Sequence, residues 1–110
     1  MSAAALLIDH PEVTAPATFD AVIVNRGEQI LEYGLAYTIE HWDGEDWQKT
    51  NLAPKIFPQI AFILGPGEIG RPNTVEIPAE AKSGFYRVTK GATEEGTGTS
   101  LKLHGLFQIR

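Results

Sequence analysis

The chain contains no cysteine and a single methionine among its 110 residues. The absence of cysteine excludes disulfide bridges, thiolate metal sites and cysteine nucleophiles. Basic residues are also scarce, since 9 lysines and arginines stand against 14 aspartates and glutamates, which gives a net charge of −5. Because nucleic acids and anionic membrane surfaces both attract basic proteins, this charge argues against either of them as a partner.

A long apolar run is missing as well. The apolar opening SAAALLI is followed at once by Asp9 and His10, and a membrane-spanning helix needs about 20 apolar residues. We therefore expect no membrane insertion, and because the opening has no basic start we expect no signal peptide in this chain. The length, with 43% hydrophobic residues, suits one core, so we expect a single domain over residues 1–110.

Helical periodicity is absent, and an alternation of apolar and polar residues takes its place. In LAYTIEHW (35–42), Leu35, Tyr37 and Ile39 share one face and the residues between them share the other. This alternation is typical of a half-buried antiparallel strand, because successive side chains point to opposite faces of a sheet. The same reasoning predicts further strands at 4–9, 18–25, 60–64, 73–77, 85–90 and 99–110.

Turn-forming residues separate these strands. Short strands that recur every 8–12 residues or so predict an all-β fold, an antiparallel β-sandwich of about seven to nine strands in two sheets. Two irregular segments remain. We expect residues 50–59 to carry the chain between the sheets, and the Gly/Thr/Glu-rich residues 91–100 to form a mobile loop between the last two strands.

The stretch HWDGEDWQ (41–48) concentrates more potential chemistry than any other part of the chain. Asp-Gly between strand residues predicts a two-residue hairpin turn in which Gly44 adopts a positive φ. Two functional interpretations compete with the hairpin. One is a Ca²⁺ site on the acids, which lack the usual ligand spacing. The other is an aromatic face of Tyr33, Trp42 and Trp47 that holds a sugar ring or a partner. We favour the hairpin.

The other candidates for chemistry are weak. His10, His41 and His104 lack the paired spacing of zinc ligands, and no serine has the Gly-x-Ser-x-Gly setting of a nucleophile. GPGEIG (65–70) has neither the lysine nor the following helix of a phosphate-binding loop, so it predicts a tight turn. We therefore expect no catalytic residues, no metal and no cofactor, and we do not predict an enzyme.

Four segments, taken in order, resemble a family of bacterial immunoglobulin-like domains. Their common marks are a Tyr-Gly before an alternating strand, an aromatic-x-Gly-x-x-Trp hairpin, a Pro-Gly turn and Gly-x-Tyr-Arg. The segments are VNRGEQILEYGLAYTIEHWDGEDWQ, IAFILGPGE, SGFYRVTKG and LHGLFQI, within residues 17–110. The resemblance implies an immunoglobulin-like sandwich found in bacterial cell-envelope and secreted proteins, and it carries over no catalytic residues.

The segment GFYRV (84–88) has its own physical meaning. If Val88 faces the core, Tyr86 faces it too, because the two residues share a phase. A tyrosine at this position buries its ring and sends its hydroxyl to an upstream backbone group, as in the tyrosine corner of such sandwiches. We therefore expect a structural role for Tyr86.

These observations favour a non-catalytic immunoglobulin-like module that serves as a structural or interaction domain. Its contacts would be a protein partner or neighbouring domains, and the resemblance places it in the cell envelope or outside the cell. The alternative is a carbohydrate- or peptide-binding module that uses an aromatic face around Trp42 and Trp47.

Overall fold

The computed structural model describes residues 4–110, and all regular secondary structure in that range is β-strand. No part of this range forms a helix long and apolar enough to cross a membrane. The strands, in chain order, are β1 (Ala4–Ile8), β2 (Glu12–Val13), β3 (Ala17–Asn25), β4 (Leu31–Tyr33), β5 (Thr38–Trp42), β6 (Trp47–Lys49), β7 (Phe62–Leu64), β8 (Asn73–Ile77), β9 (Gly84–Glu94) and β10 (Ser100–Ile109).

The strands form two sheets that face each other, which confirms the predicted all-β sandwich. The smaller sheet has the order β1-β3-β8, and the larger has the order β2-β10-β9-β4-β7. The β5–β6 hairpin joins the larger sheet beside β4, because β9 pairs with β5 through residues 86–89 and with β4 through residues 92–94. Two strands, β4 and β5, thus share one edge of the long strand β9.

Two details differ from the predicted sandwich. The described residues form ten strands, because β2, β4 and β6 have only two or three residues each and leave too little alternation to detect in the sequence. The strand β2 also runs parallel to β10, with Glu12 opposite Gln108, in a fold that is otherwise antiparallel. The parallel pair arises because the chain leaves the smaller sheet after β1 and joins the larger one at β2.

The core lies between the sheets and consists of the inward residues of each strand. In β9, Tyr86 and Val88 are buried while Phe85 is 58% exposed, which confirms the predicted phase of this strand. Fully burying one aliphatic or aromatic side chain stabilises a fold by about 1.5–3 kcal/mol. The largest fully buried side chains are Ile23, Leu31, Ile39, Ile109, Val75, Val88 and Asn25.

Tyr86 closes the entry to β9 as the sequence predicts. Its hydroxyl donates a hydrogen bond to the carbonyl oxygen of Lys82 at 2.7 Å. Its ring stacks on that of Phe107, with the centroids 5.5 Å apart, and burial raises the pKa of the hydroxyl. The ring therefore packs in the core while its hydroxyl satisfies a backbone group upstream.

Removing that hydroxyl should be costly. We expect Tyr86→Phe to lower the free energy of unfolding by about 1–3 kcal/mol, because the Lys82 carbonyl loses its donor. Urea denaturation measures the loss. Phe85→Ala serves as the control and should cost less than Tyr86→Ala, since Phe85 projects into solvent. A larger loss at Phe85 would contradict the burial of this strand.

The predicted loop over residues 91–100 is wrong in its extent. The strand β9 continues to Glu94 and β10 begins at Ser100, so the paired region includes Ala92 opposite Leu101. A tight turn joins the strands, in which the Glu94 amide donates to the Thr99 carbonyl at 2.9 Å. Small and polar residues occupy this hairpin because its outward face meets water, and the sequence therefore shows little alternation.

The predicted crossing between sheets is also misplaced. Residues 50–59 connect β6 to β7, and both strands belong to the larger sheet. The chain crosses to the smaller sheet after β7, through residues 65–72. This connection lies against the end of β3, where Gly67 donates its amide to the Asn25 carbonyl at 2.9 Å. The two prolines at 54 and 58 break regular structure along one sheet edge and do not mark a change of sheet.

Candidate functional site

The stretch HWDGEDWQ forms the β5–β6 hairpin, with Trp42 directly opposite Trp47. The connection spans residues 43–46 and is closed by a hydrogen bond from the Asp43 amide to the Asp46 carbonyl at 3.1 Å. Gly44 adopts a φ of 103°, a positive value as expected. The hairpin is thus present, but the predicted two-residue turn is wrong because the connection is longer.

The Asp43 carboxylate explains the longer connection. Its Oδ1 accepts hydrogen bonds from the amides of Glu45 and Asp46, both at 2.8 Å, and its Oδ2 accepts one from Gln48 Nε2 at 3.0 Å. The hydrogen bond from the Asp46 amide is the main cause that holds the pKa of Asp43 below its usual range. Asp43 therefore organises the turn itself. Across residues 4–110, no three His, Asp or Glu side chains form a group that could hold a metal ion.

Substitution of Gly44 should cost more stability than substitution of Glu45 in the same turn. A Cβ added at Gly44 would meet no atom within 4 Å, so the cost of a substitution comes from the positive φ. We expect Gly44→Val to lower the free energy of unfolding by about 1 kcal/mol or more. Glu45→Ala is the control and should stay within about 0.5 kcal/mol. Equal losses in urea denaturation would contradict this account.

An apolar surface, made by Trp42, Trp47, Phe85 and Leu106, lies on the outer face of the larger sheet. Phe85 is 58% exposed, Leu106 is 63% exposed and Trp42 is 37% exposed. The Trp42 and Trp47 rings are 5.3 Å apart and tilted by 56°. Together with Pro11 and Gln108, over the buried rings of Tyr86 and Phe107, these side chains line a groove of about 610 Å³.

Strand register brings these residues together. Glu40 lies opposite Arg87, so two residues further along the same antiparallel pair Trp42 comes level with Phe85. Phe85 in turn lies opposite Gln108 on β10. Side chains at level positions share a face, and one row therefore crosses β6, β5, β9 and β10. None of these neighbours is close to another in the sequence except within the hairpin.

A polar network borders the apolar surface. The Arg87 guanidinium lies 4.5 Å from the Trp47 ring centroid, and its Nε donates to Glu40 Oε1 at 2.7 Å. Thr89 Oγ1 donates to the same carboxylate oxygen at 2.8 Å and lies 2.8 Å from His104 Nδ1. The hydrogen bond from Arg87 is the main cause that lowers the pKa of Glu40. Arg87 therefore covers one face of Trp47 and is fixed there by Glu40.

Tyr33 does not belong to this surface, and the prediction that placed it there is wrong. It is only 8% exposed, and its ring stacks on Phe62 with the centroids 5.3 Å apart. Its hydroxyl accepts a hydrogen bond from the Arg71 amide at 3.2 Å. Because β4 pairs with β7 and with the far end of β9, Tyr33 is held away from the tryptophans.

The three histidines lie on different parts of the sandwich. His10 is exposed and its Nδ1 lies 3.1 Å from Asp9 Oδ1. His41 is partly buried against the Tyr86 ring, with the centroids 4.7 Å apart. His104 is exposed on β10, and partial desolvation of its ring is the main cause that lowers its pKa. The structure therefore brings no two of them together as a pair of metal ligands.

Sequence reasoning assigns no role to Lys90, yet this lysine is buried in the sandwich with 3% exposure. Its Nζ donates hydrogen bonds to the carbonyl oxygens of Gly34 at 3.0 Å and Ala36 at 3.1 Å, and to Asn73 Oδ1 at 2.8 Å. Burial lowers the pKa of Lys90 to about 8. A signal for this position exists in the sequence, because Lys90 shares the inward phase of Tyr86.

Comparison with solved structures shows the sandwich in other proteins. A family 123 glycoside hydrolase from Clostridium perfringens, described in a study of glycolipid glycan hydrolysis, matches 99% of this chain at 12% identity with a TM-score of 0.50. This chain spans only 27% of that protein, and the likeness shows a shared fold alone. No curated protein matches the chain.

Two further structures match with lower scores. PapD-like domain 7 of human CEP192 shares 11% identity, with a TM-score of 0.46 over 98% of this chain and 85% of that domain. A FixG-related protein from Vibrio parahaemolyticus shares 13% identity, with a TM-score of 0.48 over 100% of this chain and 99% of that one. Neither score supports an argument beyond the similarity itself.

A family profile described as a bacterial Ig-like domain matches residues 2–102. The match begins earlier than the sequence resemblance suggests and takes in the strands β1 and β2. It also covers the β5–β6 hairpin, the Pro-Gly turn and the Gly-x-Tyr-Arg segment that carry the resemblance. The chain therefore belongs to the bacterial Ig-like domain family.

Proposed function

We propose that this domain is a non-catalytic interaction module and that a protein partner or a neighbouring domain docks on the apolar surface. The observation that carries the proposal is the exposure of Phe85 and Leu106, both more than half exposed beside Trp42. Large apolar side chains that are exposed together on a folded domain commonly mark a contact surface. Tryptophans at the centre of such a surface supply a large share of binding energy.

The chemistry of the groove supports binding rather than a reaction. Its lining residues are apolar and aromatic apart from Gln108, and their other polar side-chain groups are the two indole N–H groups and the Tyr86 hydroxyl. That hydroxyl already donates to the Lys82 carbonyl, and the pKa of Tyr86 is raised above its usual value. Apolar side chains that surround a few polar groups bury area against a partner and use the polar groups for orientation.

A sugar is the second candidate ligand, favoured by the exposure of Trp42. Sugar rings stack on open aromatic faces, and here the Arg87 guanidinium covers one face of Trp47 at 4.5 Å. The 56° tilt between Trp42 and Trp47 also prevents the two rings from forming a common platform. A protein partner has no need of a flat platform, since its side chains can enter the groove between the rings. We therefore place the protein partner first.

Site-specific crosslinking tests the proposal. A photoreactive benzoylphenylalanine at position 85 in the parent protein, expressed in the organism that encodes it, should give one dominant adduct. The same residue at position 56 is the control, because Ile56 is 88% exposed but lies outside the apolar surface. Leu106→Glu should abolish the adduct at 85. Equal adducts at both positions, or no effect of Leu106→Glu, would contradict the proposal.

Titration with oligosaccharides tests the second candidate in the isolated domain. Saturable quenching of tryptophan fluorescence that is lost in Trp42→Ala would favour a carbohydrate ligand. We expect no saturable change.

We further propose that the parent protein is secreted or belongs to the cell envelope, as the family resemblance suggests. Immunoblots of cytoplasmic, envelope and culture fractions test this location.

A further inference from the structure

The strand β10 is paired along one side only for most of its length. It pairs with β9 over all of Ser100–Ile109, but β2 lies beside it only at Gln108 and Ile109. Among the strands formed by residues 4–110, no other lies next to residues 100–107 on the side away from β9. This stretch, which we call the β10 edge, is longer than the free edges of the short strands β6 and β7.

The backbone of the β10 edge is oriented to accept another strand. The Gln108 amide donates to the Pro11 carbonyl at 2.7 Å, and the Arg110 amide donates to the Val13 carbonyl at 2.9 Å, both away from β9. Backbone groups of alternate residues in a strand point to the same side. The N–H and C=O groups of Lys102, His104 and Leu106 therefore also point to the open side, where they present a ladder of donors and acceptors.

The neighbouring strand β1 does not fill this position. Gly105 faces the interior, and a Cβ built on it would lie 3.4 Å from the Leu6 carbonyl oxygen and 2.8 Å from Ile8 Cδ1. These contacts place β1 under the inner face of β10, as part of the smaller sheet. A strand added at the β10 edge would lie in the plane of the larger sheet, beside β10 and above β1.

The side chains of the edge indicate what kind of strand fits. Lys102, His104 and Leu106 are exposed on the outer face, and the segment SLKLHGLF (100–107) contains no acid. Lys102 forms none of the ion pairs found among residues 4–110. If two copies paired through this edge, basic side chains would face each other or apolar ones, and no register within residues 100–107 would bring an acid to Lys102. Like charges across strands are unfavourable and opposite charges are favourable.

We propose that the β10 edge takes up an extended segment of a partner protein as an additional strand. The outward residues of that segment carry an acid beside Lys102 and, four residues away, an apolar side chain beside Leu106. Main-chain hydrogen bonds hold such a strand, and alternate side chains select it. The net charge of −5 does not prevent an acidic segment from binding beside Lys102, since charges more than about 8 Å apart are largely screened at physiological salt.

This proposal does not depend on the proposed docking at the apolar surface. It rests on the free backbone groups and on Lys102, neither of which belongs to the groove, and only Leu106 is common to both. A partner that docks on the apolar surface without adding a strand would leave the edge amides unchanged. A strand that adds to the edge would not require Trp42. The two proposals therefore fail separately.

A peptide titration tests the added strand. The probe is acetyl-Thr-Leu-Val-Thr-Val-Glu-Thr-amide, whose Leu lies opposite Leu106 and whose Glu lies opposite Lys102 when the peptide runs antiparallel to β10. The comparison peptide has Lys in place of Glu. We expect saturable shifts of the backbone amide resonances of Lys102, His104 and Leu106 with the Glu peptide. The Lys peptide should bind about fivefold more weakly, and Lys102→Glu should reverse this preference by a similar factor. Lys55→Glu makes the same charge change in an exposed loop and should leave both affinities unchanged.

A second variant tests the backbone contribution. The His104 amide points away from β9, so His104→Pro should leave the β9–β10 ladder intact and abolish binding. Circular dichroism checks that this variant folds; if it does not, methylation of alternate peptide amides replaces it and should abolish binding. Absence of saturable binding, or shifts that map elsewhere, would overturn the proposal and leave Lys102 as a charge that protects the edge. Concentration-dependent dimers with the same amide shifts would overturn it in favour of a second copy.

Discussion

Raising the pH from about 7.5 to about 9.5 should stabilise the wild-type domain by about 2 kcal/mol relative to Lys90→Met. The reason is that burial lowers the pKa of Lys90 to about 8, against a usual value of 10.5. Between these values the lysine is protonated in the unfolded chain but neutral in the folded one. The unfolded state then binds more protons, so the free energy of unfolding rises with pH.

Below the folded pKa the same lysine is charged inside the sandwich. Its ammonium then donates to Gly34, Ala36 and Asn73, and these hydrogen bonds offset part of the cost of burial. The neutral amine keeps two of the three N–H donors, so deprotonation gives up one hydrogen bond but removes the larger cost of a buried charge. When the pH rises from below the folded pKa of Lys90 to above its unfolded pKa, the free energy of unfolding increases by about 3 kcal/mol.

Urea denaturation of both proteins at a series of pH values measures this difference. The comparison with Lys90→Met cancels titration shared by the two chains, such as that of Tyr86, whose pKa is raised by burial. Lys55→Met is a matched control, because Lys55 is exposed, and its difference from wild type should not change with pH. If the stability difference between wild type and Lys90→Met did not change with pH, the Lys90 ammonium would keep its charge over the whole pH range.

Asn25→Ala should lower the free energy of unfolding by about 2–4 kcal/mol. Asn25 is fully buried at the end of β3. Its Nδ2 donates to the carbonyl oxygens of Gln29 at 2.8 Å and Leu64 at 3.0 Å, and its Oδ1 accepts from the Gly27 amide at 3.1 Å. The substitution leaves these backbone groups without a partner and opens a cavity.

Thermal and urea denaturation measure this loss, with Asn51→Ala as the control. Asn51 is exposed in the segment after β6, so its substitution should stay within about 0.5 kcal/mol. Asn25→Asp is a sharper variant of the same size, which keeps Oδ1 and replaces the donor by an acceptor. It should be at least as destabilising as Asn25→Ala, since a buried carboxylate would face two carbonyl oxygens. A loss below about 1 kcal/mol for both variants would contradict this role.

The sequence is sufficient to predict the features that depend on neighbours along one strand. Alternation places Phe85 outside and Tyr86 inside, and the Asp-Gly pair predicts the β5–β6 hairpin. Lys90 shows the limit of this reasoning. Its position in the alternation places it on the inward face, although lysine usually lies in solvent. Burial is possible because Lys90 finds three hydrogen-bond acceptors on residues distant in the sequence.

Features that depend on pairing between distant strands are harder to predict. Tyr33 resembles a member of an aromatic face in the sequence, but its ring lies on Phe62 because β4 pairs with β7. The apolar surface itself includes Leu106, which only the β9–β10 register brings level with Arg87 and next to the row of Phe85. Alternation within a strand carries no information on which strands become neighbours, so these assignments require the structure.

The parallel pairing of β2 with β10 has a mechanical consequence. Because the two strands run in the same direction, tension that pulls the N-terminal side of β2 and the C-terminal side of β10 apart slides one strand along the other. The hydrogen bonds Gln108–Pro11 and Arg110–Val13, together with the Arg110–Glu12 ion pair, then bear the load at the same time. An antiparallel hairpin pulled at its open end would lose its hydrogen bonds one after another. This short strand thus places its contacts with β10 in shear when tension along the chain reaches β2 and β10.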